Sequence, residues 1–169
     1  DTIADTAGAN DNASGTAVLL AIARELQDEE LPITVKFIAF GSEELGLLGS
    51  INYVRSLDPG DVAGTIAMIN LDTIGSGGSL AAGGAQGLVT DSVSLASEMG
   101  IDLRPGREPD NASSDHAVFA RVGIDTLFFL GRDFSQIHSA DDTIEFVEPQ
   151  LLGDAANVSI AIIRAIGSQ

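Results

Sequence analysis

Apolar residues recur in blocks along this chain, and the spacing inside the blocks changes from one to the next. Residues 14–27 are apolar on nearly every helical face, which predicts a buried helix entered through the polar run G-A-N-D-N-A-S-G at residues 8–15. Pro32 ends that segment. Residues 33–40, I-T-V-K-F-I-A-F, are rich in β-branched and aromatic side chains and predict a strand. A helix is predicted over 46–57, closed by Asp58-Pro59-Gly60. Residues 65–71, T-I-A-M-I-N-L, are apolar on both faces, as a covered parallel strand requires. The glycine-rich stretch 75–87 reads as a loop holding at most a short edge strand at Leu80-Ala81-Ala82. A helix follows over 88–99, then a polar surface loop over 104–114 and a short helix over 115–122. Residues 125–130, D-T-L-F-F-L, predict a third buried strand, and 148–166 a final helix.

Strands alternating with helices imply an α/β fold in three layers, a mostly parallel or mixed sheet flanked by helices, within one domain over 1–169. Sheets of this kind place their sites beyond the carboxyl ends of the strands. The polar residues obey that rule. Glu43 and Glu44 follow the strand ending at Phe40, Asp72 follows the strand ending at Leu71, His138 lies beyond Leu130, and Asp11 stands at the mouth of the first helix. Alone, Asp11 reads first as a helix cap, Glu43-Glu44 as a solvated turn and His138 as a surface histidine. Together, four such groups on one rim suit Zn2+ or Mn2+, and a pair of ions better than one. Adjacent glutamates fit that setting. Neighbouring side chains in extended backbone point apart, so one can bind metal while the other accepts a proton from water.

Composition removes other classes. The 169 residues carry a formal charge of −17, which opposes nucleic-acid binding and anionic membrane surfaces. No apolar run is long enough to span a bilayer. Cysteine is absent, so disulfides, thiolate metal sites and cysteine nucleophiles are excluded. Gly75-Ser76-Gly77-Gly78 is a poor match to a phosphate loop. Ser113-Ser114-Asp115-His116 lacks the G-x-S-x-G setting of a serine hydrolase, and His116 reads as structural. Three N-x-S sequons, at Asn12, Asn111 and Asn157, read as coincidental.

Five motifs follow in order: G-A-N-D-N-A-S-G, F-I-A-F-G-S-E-E-L-G-L-L-G-S, I-N-L-D-T-I-G, S-D-H-A-V-F-A-R-V-G-I and I-H-S-A-D-D-T. They resemble the secreted bacterial two-zinc aminopeptidases, whose fold is shared with glutaminyl cyclases and glutamate carboxypeptidases. The resemblance implies that Asp11 bridges two zinc ions, that Glu44 and His138 hold one and Asp72 the other, and that Glu43 is the general base. It implies that Asp142 buttresses the histidine loop and that the Asp11–Asn12 peptide is cis. It also implies peptide substrates and an extracytoplasmic, secreted location. The family's first zinc histidine belongs to an H-x-D motif, and Asp1-Thr2 resembles the end of one. Asp1 would then orient the imidazole of a histidine two residues upstream. By that resemblance the chain is the C-terminal part of a longer catalytic domain. It would lack the N-terminal strands and carry one complete zinc site (Asp11, Glu44, His138). The alternatives are a carboxypeptidase, with Arg104, Arg107, Arg121 or Arg132 facing a substrate carboxylate, a glutaminyl cyclase, or a scaffold that has lost catalysis. Tyr53, the only tyrosine, is weighed as an oxyanion donor.

Overall fold

The first helix, α1 (Gly15–Leu26), enters the molecule along one stripe only. Val18, Ile22 and Leu26, spaced four apart, are buried, each contributing about 1.5–3 kcal/mol. Leu20, on the opposite face, is 62% exposed. The apolar surround expected from the sequence is therefore a one-sided contact. The computed structural model describes residues 2–110 and 112–168. The expectation placed on Asp1 lies outside them.

After α1 the elements are α2 (Leu48–Ser56), α3 (Pro59–Gly64), β1 (Met68–Leu71), β2 (Leu80–Gly84), α4 (Gln86–Glu98), β3 (Leu103–Pro105), α5 (His116–Arg121), β4 (Thr126–Leu130) and α6 (Pro149–Gly167). The four strands form one mixed sheet in the order β1-β4-β2-β3. β1 runs parallel to β4, with Met68 beside Thr126 and Leu71 beside Phe129. β2 is parallel to β3 and antiparallel to β4, with Ala82 beside Phe129. Every residue of β4 is buried. Leu127 and Phe129 join the larger core with α1, α4 and α6, while Phe128 stacks on His116 of α5. A second core gathers Val54 of α2, Val118 and Phe119 of α5, and Ile124. Tyr53 packs there against Phe40 and Phe119, with ring centroids 5.7 and 6.0 Å away. The expected α/β layering is thus present, with helices on both faces of the sheet.

Four local expectations change. Residues 33–40 join no strand ladder among the described residues. They and residues 64–69 line a cavity of about 530 Å³. The composition is that of a strand, but among the described residues no backbone pairs with it. The glycine-rich stretch holds β2 in the interior of the sheet and not at its edge. Its small residues are required there. A Cβ on Gly83 would meet the Phe128 ring at 2.3 Å, and one on Gly84 the Thr126 carbonyl oxygen at 2.0 Å. The loop expected over 104–114 begins inside β3. The stop at Asp58-Pro59-Gly60 instead starts α3, where the Asp58 carboxylate accepts the Asp61 N–H at 2.8 Å and Pro59 occupies the first turn.

Candidate metal centre

β1 and β4 point the same way, so the loops that leave them, with Asp72 and residues 131–142, open on one rim. Residues 9–14 bring Asp11 to the same rim. Here Ala9–Ser14 form a wide turn in which Asp11 and Asn12 leave helical geometry and are joined by a cis peptide. Asn12, not Asp11, ties down the start of α1. Its Oδ1 accepts the Gly15 N–H at 2.9 Å, and its Nδ2 donates to the Leu71 carbonyl at 3.0 Å. Asp11 is thereby left to face the rim.

Three of the expected ligands meet. His138 Nε2 lies 3.0 Å from Asp11 Oδ2 and 3.0 Å from Glu44 Oε1. One ligand atom from each of the three falls within 4.8 Å of the others. Asp72 stands beside this trio and outside it. Its Oδ2 accepts from Ser114 Oγ at 2.6 Å, and Ser114 Oγ in turn accepts from Asn70 Nδ2 at 2.9 Å. Its Oδ1 is buried and has no hydrogen-bond partner among the described residues. Five described residues other than glycine have positive φ. Three of them, Ser42, Thr73 and His138, belong to or adjoin this group. Such backbone is held in place by its surroundings and concentrates at functional sites.

Electrostatics single out the same residues. Burial, then repulsion from Asp72 and Glu44, pushes the Asp11 carboxyl up to about 7. Burial, followed by repulsion from Asp72, Glu44, Asp115 and Asp11, pushes Glu43 up to about 8. Asp72 is raised chiefly by desolvation. So is Asp115, which is buried and has an unpartnered Oδ1. Carboxylates this close hold protons unless a cation compensates them. An unpartnered oxygen on Asp72 beside a carboxylate–imidazole trio is the donor set that a divalent ion such as zinc would complete.

The supporting residues divide into expected and missed. Asp142 is fully buried and accepts the Asn10 N–H at 2.7 Å and the Asp11 N–H at 3.0 Å, so its carboxylate fastens the turn that carries Asp11, whereas the resemblance assigns it to the histidine loop. His116 lies beneath the rim, 3.4 Å from Glu108 and 4.5 Å from the Phe128 ring. Asn10, Asn70, Ser76 and Ser114 were not singled out as site residues. The one available signal was Asn70, a polar residue inside an apolar strand.

A mixed sheet between helical layers, with carboxylates and an imidazole converging where its parallel strands end, defines an α/β protein whose rim has the donor set to hold a metal ion. The profile of Peptidase family M28 matches residues 1–163, and the chain belongs to that family. It is 34% identical over 181 residues to Aminopeptidase YwaD of Bacillus subtilis (strain 168), covering 98% of this chain and 39% of that protein. Its fold superposes on BSAP, a zinc aminopeptidase from Bacillus subtilis, with a TM-score of 0.89 at 31% identity, covering 98% of this chain and 44% of that one. For the aminopeptidase from Aneurinibacillus sp. strain AM-1 the TM-score is 0.86 at 32% identity, covering 98% of this chain and 40% of that one. The chain thus spans less than half the length of these relatives.

Proposed function

We propose that this chain carries the catalytic rim of a zinc-dependent aminopeptidase that removes N-terminal residues from peptides. The observation that carries the reading is the convergence of Asp11, Glu44 and His138, with Glu43 next in the chain and outside the trio. Asp11, Glu44 and His138 would hold one zinc ion, and Asp11 with Asp72 would contribute to a second. Zinc so held supplies a Lewis acid beside a scissile carbonyl. Glu43, desolvated and ringed by acids, is tuned toward the range a general base needs. It would take a proton at its carboxylate and return it to the leaving amine. The acidic rim favours the ammonium end of a peptide over its carboxylate end. Arg104, one of the cations a carboxypeptidase would need, is engaged instead by Asp102 at 2.9 Å on the β3 side. An extracytoplasmic location belongs to the same reading and rests on the resemblance.

The cavity between residues 33–40 and 64–69 bears on completeness. Its walls are the outer edge of β1 and an apolar, strand-forming run without a ladder partner. We infer that a further β-strand of the same polypeptide fills it. Running parallel to β1, such a strand would end at the rim, beside Asp72, where a further ligand is needed.

The test is hydrolysis of leucine anilide and its N-acetyl form by the zinc-loaded polypeptide that includes the strand filling this cavity. The free-amine substrate should be cleaved and the blocked one spared. Glu43→Gln should keep its zinc and lose at least about 100-fold in kcat. Loss of zinc in Glu43→Gln would make Glu43 a ligand, and equal cleavage of the blocked substrate would overturn the aminopeptidase assignment.

A further inference from the structure

Asn10 stands next to the proposed bridging carboxylate, yet the reading above gives it no task. It is 3% exposed, and all four of its polar groups are hydrogen-bonded, to three separate segments. Its backbone N–H donates to Asp142 Oδ1 at 2.7 Å. Its side-chain oxygen accepts the Gly75 N–H at 2.7 Å, and its side-chain nitrogen donates to Ser76 Oγ at 2.9 Å. Its carbonyl accepts from Ser14 Oγ at 2.6 Å. Ser76 Oγ passes the link onward, donating to the Asp133 carbonyl at 2.6 Å. The Asn10 side chain therefore joins the turn that carries Asp11 to the loop after β1 that carries Asp72 and, through Ser76, to the loop after β4 that carries His138.

The chemistry of the contacts explains the residue type. Gly75 offers a donor and needs an acceptor. Ser76 has one hydroxyl hydrogen, committed to Asp133, so its oxygen needs a donor. Only a side chain with both groups on one planar head satisfies the two at once, and a carboxamide is the smallest. There is no slack around it, since a Cβ on Gly75 would sit 2.9 Å from Asn10 Oδ1.

We propose that Asn10 is a positioning residue: it locks the three rim loops in register so that Asp11 and His138 present their ligand atoms to one point, and it sets zinc affinity without touching the ion. This rests on the zinc reading given above.

The experiment measures the zinc dissociation constant of the 169-residue chain by competition with a chromophoric chelator, alongside circular dichroism to establish folding. The substitutions are neutral, because an added carboxylate would attract zinc by its charge alone. Asn10→Ala should weaken zinc about 10–100-fold. Ser76→Ala should weaken it less, but measurably. The double variant should be weaker than parent by less than the product of the two single effects, since both break one path. Ser92→Ala serves as the stability control. Ser92 is buried in α4 and donates to the Val89 carbonyl, so its loss should lower Tm and leave zinc affinity at the parent value. If Asn10→Ala does not fold, Ser76→Ala carries the test. Parent-like zinc affinity in the folded Asn10 or Ser76 variants would overturn the proposal while leaving the metal site standing. A parent chain that binds no zinc would overturn both.

Discussion

At the scale of single residues, the rim is a cluster of acids held closer together than their charges favour. Asp11 and Glu43 sit well above the ordinary carboxylate range, near 7 and 8, because burial first, and then the charges of Asp72 and Glu44, penalise ionisation. The sign of the consequence follows. A carboxyl whose folded pKa exceeds its unfolded value binds more protons when folded, so its contribution to stability is complete below the unfolded pKa and is lost as pH rises through the folded one. The metal-free chain should therefore melt at a higher temperature near about pH 5 than near about pH 8.5. Asp11→Asn and Glu43→Gln should flatten that slope, and saturating zinc should reverse it between these limits, because protons and zinc compete for the same oxygens. Differential scanning calorimetry across this range checks the prediction. An unchanged slope in both variants would place the loss of stability at high pH elsewhere on this highly acidic chain.

At the scale of elements, the site depends on how tightly the start of α1 meets the end of β1. Gly15 has a φ of −64°, which any residue adopts, yet an added Cβ would lie 2.1 Å from the Leu71 carbonyl oxygen and 2.4 Å from Asn12 Oδ1. Gly15→Ala should thus cost about 1–3 kcal/mol or more through overpacking, read by urea denaturation. It should also weaken zinc, because the same clash displaces Asp11 and Asp72 relative to each other. A variant as stable as the parent would mean that this contact is soft.

The elements also show what was legible in the sequence. Asp11, Glu44, Asp72 and His138 could be read because each follows or opens an apolar block, and strand ends are where such sheets build sites. Residues 33–40 have a strand's composition without a ladder among the described residues because β propensity describes a residue's fit to a pleated surface; a ladder also needs a partner. β2 is hard to read for the converse reason: its alanines and glycines carry weak β propensity and fit against Phe128 and beside Thr126. Asn10, Ser76 and Ser114 are not legible as supports of the site because the partners of their side chains lie 42 to 66 positions away and follow no periodicity.

At the scale of the whole molecule, two parallel strands, an entering turn and two loops deliver charged groups to one edge of a sheet that is otherwise apolar. That sheet is firm at β4, where every residue is buried, and open at β1. Amide hydrogen exchange should show it. Residues 127–129 should exchange only through global unfolding, and residues 34–40 near unprotected rates in the 169-residue chain. Strong protection of 34–40 in the chain alone would mean that the cavity closes without a further strand. The convergence itself is tested most directly by zinc anomalous scattering from a crystal of the zinc-soaked protein. The account predicts a peak about 2.0–2.2 Å from Asp11 Oδ2, Glu44 Oε1 and His138 Nε2. A map with no peak among these three atoms, or with its strongest peak elsewhere on the molecule, would contradict it.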